Sequence, residues 1–264
     1  MPATQLTAGD IQAYRRNGHV VIRGLFSPEE VAAYRPIILD LCRPQLQLLK
    51  PMNERDTYGK AFVQVMHLWE KDARLKALSL SPKLGRVVAD LMGVDRVRIF
   101  HDQSLLKEPG GGYTPWHQDN WYIPFDTPHI LTMWMPMVDC SAEMGTMRFA
   151  SGSHKAGLFF DGGTSDDSQE HLEKLIQERR WDLAHCGDMK AGDASFHDGW
   201  TIHGAGPNRS STMRESFLVG FYADGARIIE RGPWQGAIAG HLKGQKLGDL
   251  VGNDQDNPVV FDRG

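Results

Sequence analysis

The 264-residue sequence is poor in the features that mark several protein classes. It has only three cysteines, Cys42, Cys140 and Cys186, widely separated and odd in number. They match neither a disulfide framework nor the paired spacing of a zinc site. No apolar run is long enough to span a bilayer, and the opening MPATQLTAGDIQAYRRNGH lacks the hydrophobic stretch of a signal peptide. Nor is there a long basic run: 29 Lys and Arg against 33 Asp and Glu leave a net charge of −4. Nucleic acid and anionic membrane are therefore not expected partners. Internal repeats, low-complexity tracts and linkers are missing as well. The expectation is one domain spanning 1–264 in a reducing cytoplasm, as a monomer or homodimer.

What is present is ordinary globular material, 41% hydrophobic and 9% aromatic, enough for a sizeable core. TAGDIQAYRRNG reads as a helix capped by Thr7 and stopped at Gly18. HVVIRGLF follows as a short strand, and SPEEVAAYRPIILDLC as a helix with Ser27 at its cap and Pro28 at its first position. Pro36 is expected to kink or shorten that helix. SPKLGRVVADLMG begins in the same way and closes on Gly93. Residues 1–93 thus read as a mainly helical cover.

From residue 94 the pattern changes to short strand-type segments broken by Gly, Pro and Asp: VDRVRIFHDQSLLKEPG, HILTMWMPMVDC, GTMRFASGSH, GDASFHDGWTIHG and RESFLVGFYAD. Their spacing suits an antiparallel sandwich or barrel over 94–225. A charged helical insertion, DDSQEHLEKLIQERRWDL, falls near 159–185 and is expected on the outside, where it could also cover a site mouth. The extension 226–264 is rich in Gly and gives weak signals.

The stretch TPWHQDNWYIPFD carries the chemistry. In an extended strand residues i and i+2 share a face, so His117 and Asp119 aim an imidazole and a carboxylate at one point while Gln118 faces away. Two readings stand. The pair could simply hydrogen-bond each other near a loop, or it could be two thirds of a 2-His-1-carboxylate metal site, the arrangement of non-haem Fe(II) oxygenases. For the third ligand His203 stands out, at the end of an apolar run before a Gly-rich turn. Arg214 lies eleven positions later at the start of another apolar strand. A strand, turn and returning strand would bring its guanidinium beside the metal to clamp a dicarboxylate.

PWHQDNWYIPF, then Trp134, GTMRFASGSH and GDASFHDGWTIHGAGPNRSSTMRES together resemble the phytanoyl-CoA dioxygenase family in order and separation, as does the earlier GHVVIRGLFSPEEV. The resemblance runs from about residue 10 to 222. It implies a double-stranded β-helix (jelly-roll, cupin-like) core with N-terminal helices, using Fe(II), 2-oxoglutarate and O₂. His117, Asp119 and His203 fall on the family's iron-ligand positions and Arg214 on its 2-oxoglutarate-binding arginine. Gln103, Lys107 and Trp134 fall near positions lining the co-substrate pocket. There are departures: Ser151 stands where the family often has proline, Met144 precedes Gly145 where asparagine is common, and Ala205 replaces a serine that can help hold the co-substrate. The last leaves the far carboxylate more dependent on Arg214. Asp119 occupies the place that halogenating relatives leave free for chloride, so hydroxylation is the default outcome. Cyclisation, epimerisation and desaturation use the same ligands.

Among the remaining histidines, His154 is read as fixing a turn and His197 as structural or supporting, with a bend expected at Gly199 between His197 and His203. His101 and His129 read as lone histidines beside apolar strands. Trp116, Trp121, Tyr122 and Phe125 suggest a broad aromatic-lined pocket for a hydrophobic, polycyclic small molecule, as in natural-product tailoring. Met133, Met135 and Met137 alternate with Trp134, so one set must face a cavity if the strand forms a barrel wall. The other readings are a fatty acyl-CoA or lipid hydroxylase, a non-catalytic jelly-roll binding protein, and a cupin-like metal enzyme independent of 2-oxoglutarate. Arg214 argues against the last.

Overall fold

The computed structural model describes residues 6–264. Helix α1 (Ala8–Asn17) begins with a reciprocal cap in which the Thr7 hydroxyl accepts from Asp10 N and the Asp10 carboxylate accepts from Thr7 N. Such caps contribute about 1 kcal/mol each. Its end at Gly18 needs a left-handed backbone, φ 80°, and a Cβ there would lie 2.4 Å from Thr201 Oγ1. Strand β1 (His19–Ile22) follows, then α2 (Pro28–Gln47) with the same capping arrangement between Ser27 and Glu30. Helix α2 runs through both Pro36 and Pro44, against the expected early end. Pro36 and Ala32, whose carbonyl loses its donor, are both exposed, so water can satisfy the group.

Next come α3 (Thr57–Ala61), β2 (Val63–Met66), α4 (Ala73–Ser79) and α5 (Pro82–Met92), the last stopping at Gly93 as its sequence predicts. The strand-rich part holds β3 (Arg96–Lys107), β4 (Thr114–His117), β5 (Ile130–Pro136) and β6 (Met147–Ala150). It continues with α6 (Asp166–Arg179), β7 (Leu183–His185), β8 (Ala194–Asp198), β9 (His203–Ala205) and β10 (Arg214–Ala223). The C-terminal residues add α7 (Trp234–His241) and β11 (Val259–Asp262).

Two antiparallel sheets form the expected jelly roll. The larger has the order β1-β8-β5-β10-β3-β11, with β2 also paired to β3, and the smaller runs β4-β9-β6-β7. The larger sheet is buried on both faces. One face packs on the helices through Met133, Met135, Phe217 and Val219 together with Val31, Ile38, Leu84 and Val88. The alternate residues Thr132, Trp134 and Leu218 face the interior between the sheets. The methionine stripe is therefore core, and the Trp134 alternation is the one that meets the cavity.

The helical cover and the weak C-terminal extension do more than predicted. β1 and β2 from the first segment and β11 from the last all join the larger sheet. β2 and β11 are four residues each, too short for a period-2 pattern to stand out. The insertion helix α6 does lie outside, as expected. It lays Leu172 and Ile176 on Trp116 and Ile202, and Gln169 Oε1 accepts from Trp116 N at 3.0 Å.

Candidate metal and co-substrate site

His117 is the last residue of β4, and Asp119 opens a 3₁₀ turn, Asp119–Trp121. Between them Gln118 keeps an extended backbone, φ −126° and ψ 126°, so both flanking side chains turn to the same side. Gln118 itself points away and is buried in hydrogen bonds to Gly157 O, Trp200 O and Phe159 N. β9 pairs antiparallel with β4 and sets His203 directly opposite His117. The bend expected at Gly199 exists: β8 and β9 belong to different sheets.

One ligand atom each from His117, Asp119 and His203 lies within 4.8 Å of the others, close enough to hold a single metal ion. The ring orientations suit it. His117 Nδ1 is 2.8 Å from Pro115 O and His203 Nδ1 is 2.9 Å from Thr201 O. A proton on each Nδ1 leaves the Nε2 lone pairs turned toward Asp119 Oδ1, at 3.7 and 3.5 Å. Burial pushes both imidazoles down from their ordinary value, toward the neutral form that a metal ligand needs. Burial alone would raise Asp119, but the neighbouring His203, His197 and His117 outweigh it and hold the carboxyl well below its usual range. Its other oxygen, Oδ2, is fixed by Thr132 Oγ1 at 2.7 Å and His197 Nε2 at 3.2 Å. His197 is thus a support, as read from the sequence. Thr132 was missed, since nothing local links it to Asp119.

These groups open into a cavity of about 380 Å³ between the sheets, within the range of small-molecule sites. Arg214 lines it and is 1% exposed. Its Nη1 donates to Gly145 O at 2.5 Å, its guanidinium lies 5.5 Å from the centre of the Trp134 ring, and its Nε has no partner. No carboxylate pairs with it among the described residues. Burial pushes it down to about 10, so it stays charged near neutrality. Gly145 is required there: its φ is 80°, and a Cβ would lie 2.3 Å from Gly206 O. The route to Arg214 differs from the predicted returning strand. β10 pairs with β3 and β5, not with β9, so residues 206–213 cross from one sheet to the other.

Gln103 and Trp134 line the same cavity as Arg214, with Gln103 Oε1 accepting from Gln64. Lys107 does not line it. Paired in register with Arg214, it is fully buried and donates to Gly112 O and Gly206 O. Burial, with Arg214 and Arg148 nearby, pushes its ammonium down to about 6.

Of the four aromatics expected in the substrate pocket only Tyr122 lines the cavity. Trp116 is next to His117 on β4, so alternation turns it to the opposite face, beneath the Arg148 guanidinium and against α6. Trp121 leaves the strand with the 3₁₀ turn and donates its Nε1 to Asp161 Oδ1. Phe125 packs into a separate core with Phe100, Tyr222 and Ile228. In their place stand Tyr58 from α3, Phe62 just after it, Met66 from β2, and Ala237 and His241 from α7. His101 also faces the cavity and is no lone histidine: its ring lies 5.2 Å from that of His241. No local signal marked these residues, because they arrive from remote segments. Cys42, Cys140 and Cys186 are free, and all three are buried.

The sequence resembles a probable α-ketoglutarate-dependent hypophosphite dioxygenase of Stutzerimonas stutzeri, 27% identical over 80% of this chain and 76% of that protein. Among solved structures it is similar to the non-haem α-ketoglutarate-dependent carbocyclase SnoK of nogalamycin biosynthesis, with 25% identity, a TM-score of 0.78 and 98% of each chain covered. It is also similar to the epimerase SnoN bound to Fe³⁺, α-ketoglutarate and nogalamycin RO, with 24% identity, a TM-score of 0.76, and 96% and 97% covered. Residues 14–216 match the family model for phytanoyl-CoA dioxygenase. The chain belongs to the phytanoyl-CoA dioxygenase family, a group of Fe(II)/2-oxoglutarate-dependent oxygenases.

Proposed function

We propose that His117, Asp119 and His203 hold the iron, that Arg214 binds the distal carboxylate of 2-oxoglutarate, and that the enzyme hydroxylates a C–H bond of an uncharged, hydrophobic, polycyclic small molecule. The observation that carries this reading is that an unpaired buried guanidinium and a three-ligand cluster open into the same cavity. Iron, 2-oxoglutarate and O₂ together supply the oxidising chemistry: R–H, 2-oxoglutarate and O₂ give R–OH, succinate and CO₂.

The protein's own groups do the positioning. His117, Asp119 and His203 would hold the metal with two imidazoles and one carboxylate oxygen, a donor set that would leave positions open for co-substrate and O₂. Thr132 and His197 hold Asp119 Oδ2 and leave Oδ1 to the metal. The Arg214 guanidinium offers parallel donors matched to a carboxylate, with Trp134 beneath it and Gly145 O orienting one nitrogen. Leu105, Met147, Ala205 and Leu218 line the same cavity and keep it dry around the pair, which strengthens the attraction.

For the prime substrate, Asp119 and Arg214 alone among the described lining residues carry a fixed charge, and both are committed. An anion such as the hypophosphite named for the S. stutzeri relative would find no cation there. The likeness to enzymes of nogalamycin biosynthesis supports a natural-product substrate. The test is anaerobic addition of Fe(II) and 2-oxoglutarate. A weak visible charge-transfer band is expected, and O₂ should then give succinate. Failure to form the band, with iron bound, overturns the co-substrate assignment.

A further inference from the structure

Part of the cavity is built from groups that the metal chemistry does not use. On β3, His101 stands six residues from Lys107, the register partner of Arg214, which is about 20 Å of strand. The co-substrate end and this lobe are therefore well separated, while Thr132, opposite the same Gly220 as His101, ties the lobe to the level of Asp119.

Here three imidazoles cluster. The ring of His241 lies 4.8 Å from that of His67, 5.2 Å from His101 and 4.7 Å from Phe100, and the His67 and His101 planes are within 32° of its own. His67 is anchored by Glu70 Oε1 at 2.8 Å. His101 and His241 have no such anchor: the Nδ1 of each is buried without a hydrogen-bond partner, and both rings line the cavity. Burial, with the neighbouring histidines, pushes them down to about 3 and about 4, so both are neutral in ordinary buffers. A neutral imidazole carries one donor and one acceptor. On the α7 side exposed Gly236 and buried Ala237 line the cavity, and a Cβ built on Gly236 meets nothing within 4 Å.

We propose that His101 and His241 determine substrate specificity, and that this lobe takes a flat aromatic ring system bearing an uncharged hydroxyl or carbonyl oxygen. Flat rings fit because Phe100, His101 and His241, which line this lobe, already pack ring against ring with centres 4.7 and 5.2 Å apart, and a further ring can extend that cluster. An oxygen substituent fits because a pure hydrocarbon would leave both imidazoles unpaired in an apolar wall. A carboxylate or phosphate does not fit, since among the described residues no Lys or Arg lines this lobe and Lys243, near His241, is paired with Glu70. The purpose of the lobe rests on the oxygenase reading, but its test does not.

The experiment is calorimetric titration of the full chain with 2-naphthol, naphthalene and 2-naphthoate. 2-Naphthol should bind about tenfold tighter than naphthalene, the worth of one hydrogen bond to a buried group, and 2-naphthoate weakest. The double variant His101→Phe/His241→Phe should bind 2-naphthol and naphthalene alike, while His241→Gln keeps the preference. Gly236→Phe, at a cavity-lining position whose Cβ has open space around it, should weaken all the aromatic probes. Equal binding of 2-naphthol and naphthalene by the wild type overturns the proposal. So does a preference that survives the double variant, tightest binding of 2-naphthoate, or an unaffected Gly236→Phe. The iron and 2-oxoglutarate band of the wild type is read separately, so its absence would sink the oxygenase reading and leave the recognition lobe standing.

Discussion

The two ends of the cavity are built on different principles. At the metal end, His117, Asp119 and His203 come from adjacent strands of one sheet and the turn that follows, and each is held by short hydrogen bonds to backbone or to Thr132 and His197. At the other end, Phe100, His101, Ile123 and His241 come from three places in the chain: β3, the loop after the 3₁₀ turn, and α7. The first is a rigid chemical device and the second a removable wall. The comparison teaches that one metal centre can serve new substrates by changing the wall alone, since the rings of the far lobe are neither the three ligands nor the groups that hold them.

The comparison breaks most sharply at the ligands. His117→Ala, Asp119→Ala and His203→Ala should each reduce turnover below detection and remove bound iron, measured by metal analysis and succinate release, while circular dichroism stays native. If His203→Ala retains iron and activity, His197 becomes the third ligand and the metal end is not the built device described.

Next in size is Arg214→Gln. It should raise the 2-oxoglutarate concentration for half-maximal rate about a hundredfold, the worth of a charged hydrogen-bonded pair, and leave iron affinity nearly unchanged. Arg209→Gln should change nothing, because Arg209 is exposed and does not line the cavity. A large shift in the Arg209 variant alone would reassign the co-substrate clamp.

Thr132→Val keeps the shape of the side chain and deletes the donor to Asp119 Oδ2. Iron affinity should fall about tenfold, the lower end for groups that orient a ligand. A shift confined to the prime substrate would instead move Thr132 to the recognition side of the comparison.

The smallest effect lies beneath the metal end, at Asp198 on β8. Burial pushes its carboxyl up to about 7, although Trp200 N and Tyr14 hydrogen-bond to it. A carboxyl with a folded-state value above its unfolded one binds its proton more tightly when folded. Its contribution to stability is then greatest below about pH 4 and is lost as pH rises to about 7, with no further change above. Asp102, pushed up to about 6 by burial, adds a loss of the same sign. Asp198→Asn should flatten this part of the profile in urea titrations between pH 4 and 7. An unchanged slope would place Asp198 in a better-solvated setting than its burial indicates.

Much of the metal end was legible. The i, i+2 spacing of His117 and Asp119 works because strand geometry is local, and Gln118 keeps that geometry although the strand ends at His117. The same parity excluded Trp116 from the cavity, a consequence that the aromatic clustering of the stretch obscured. The far lobe was not legible. His101 looked solitary because its partners, His67 and His241, are 34 and 140 residues away.

By itself the sequence determined what depends on neighbours along the chain. The caps at Thr7 and Ser27, the stops at Gly18 and Gly93 and the strand alternation all follow from torsional preference and hydrogen-bond reach over a few residues. Only the tertiary structure decided that residues 206–213 cross between sheets to set Arg214 in the cavity, that Thr132 meets Asp119, and that α7 brings His241 onto His101. The reason is physical: these contacts are set by how two sheets and their helices bury their apolar faces together, and that packing leaves no period or spacing in the sequence.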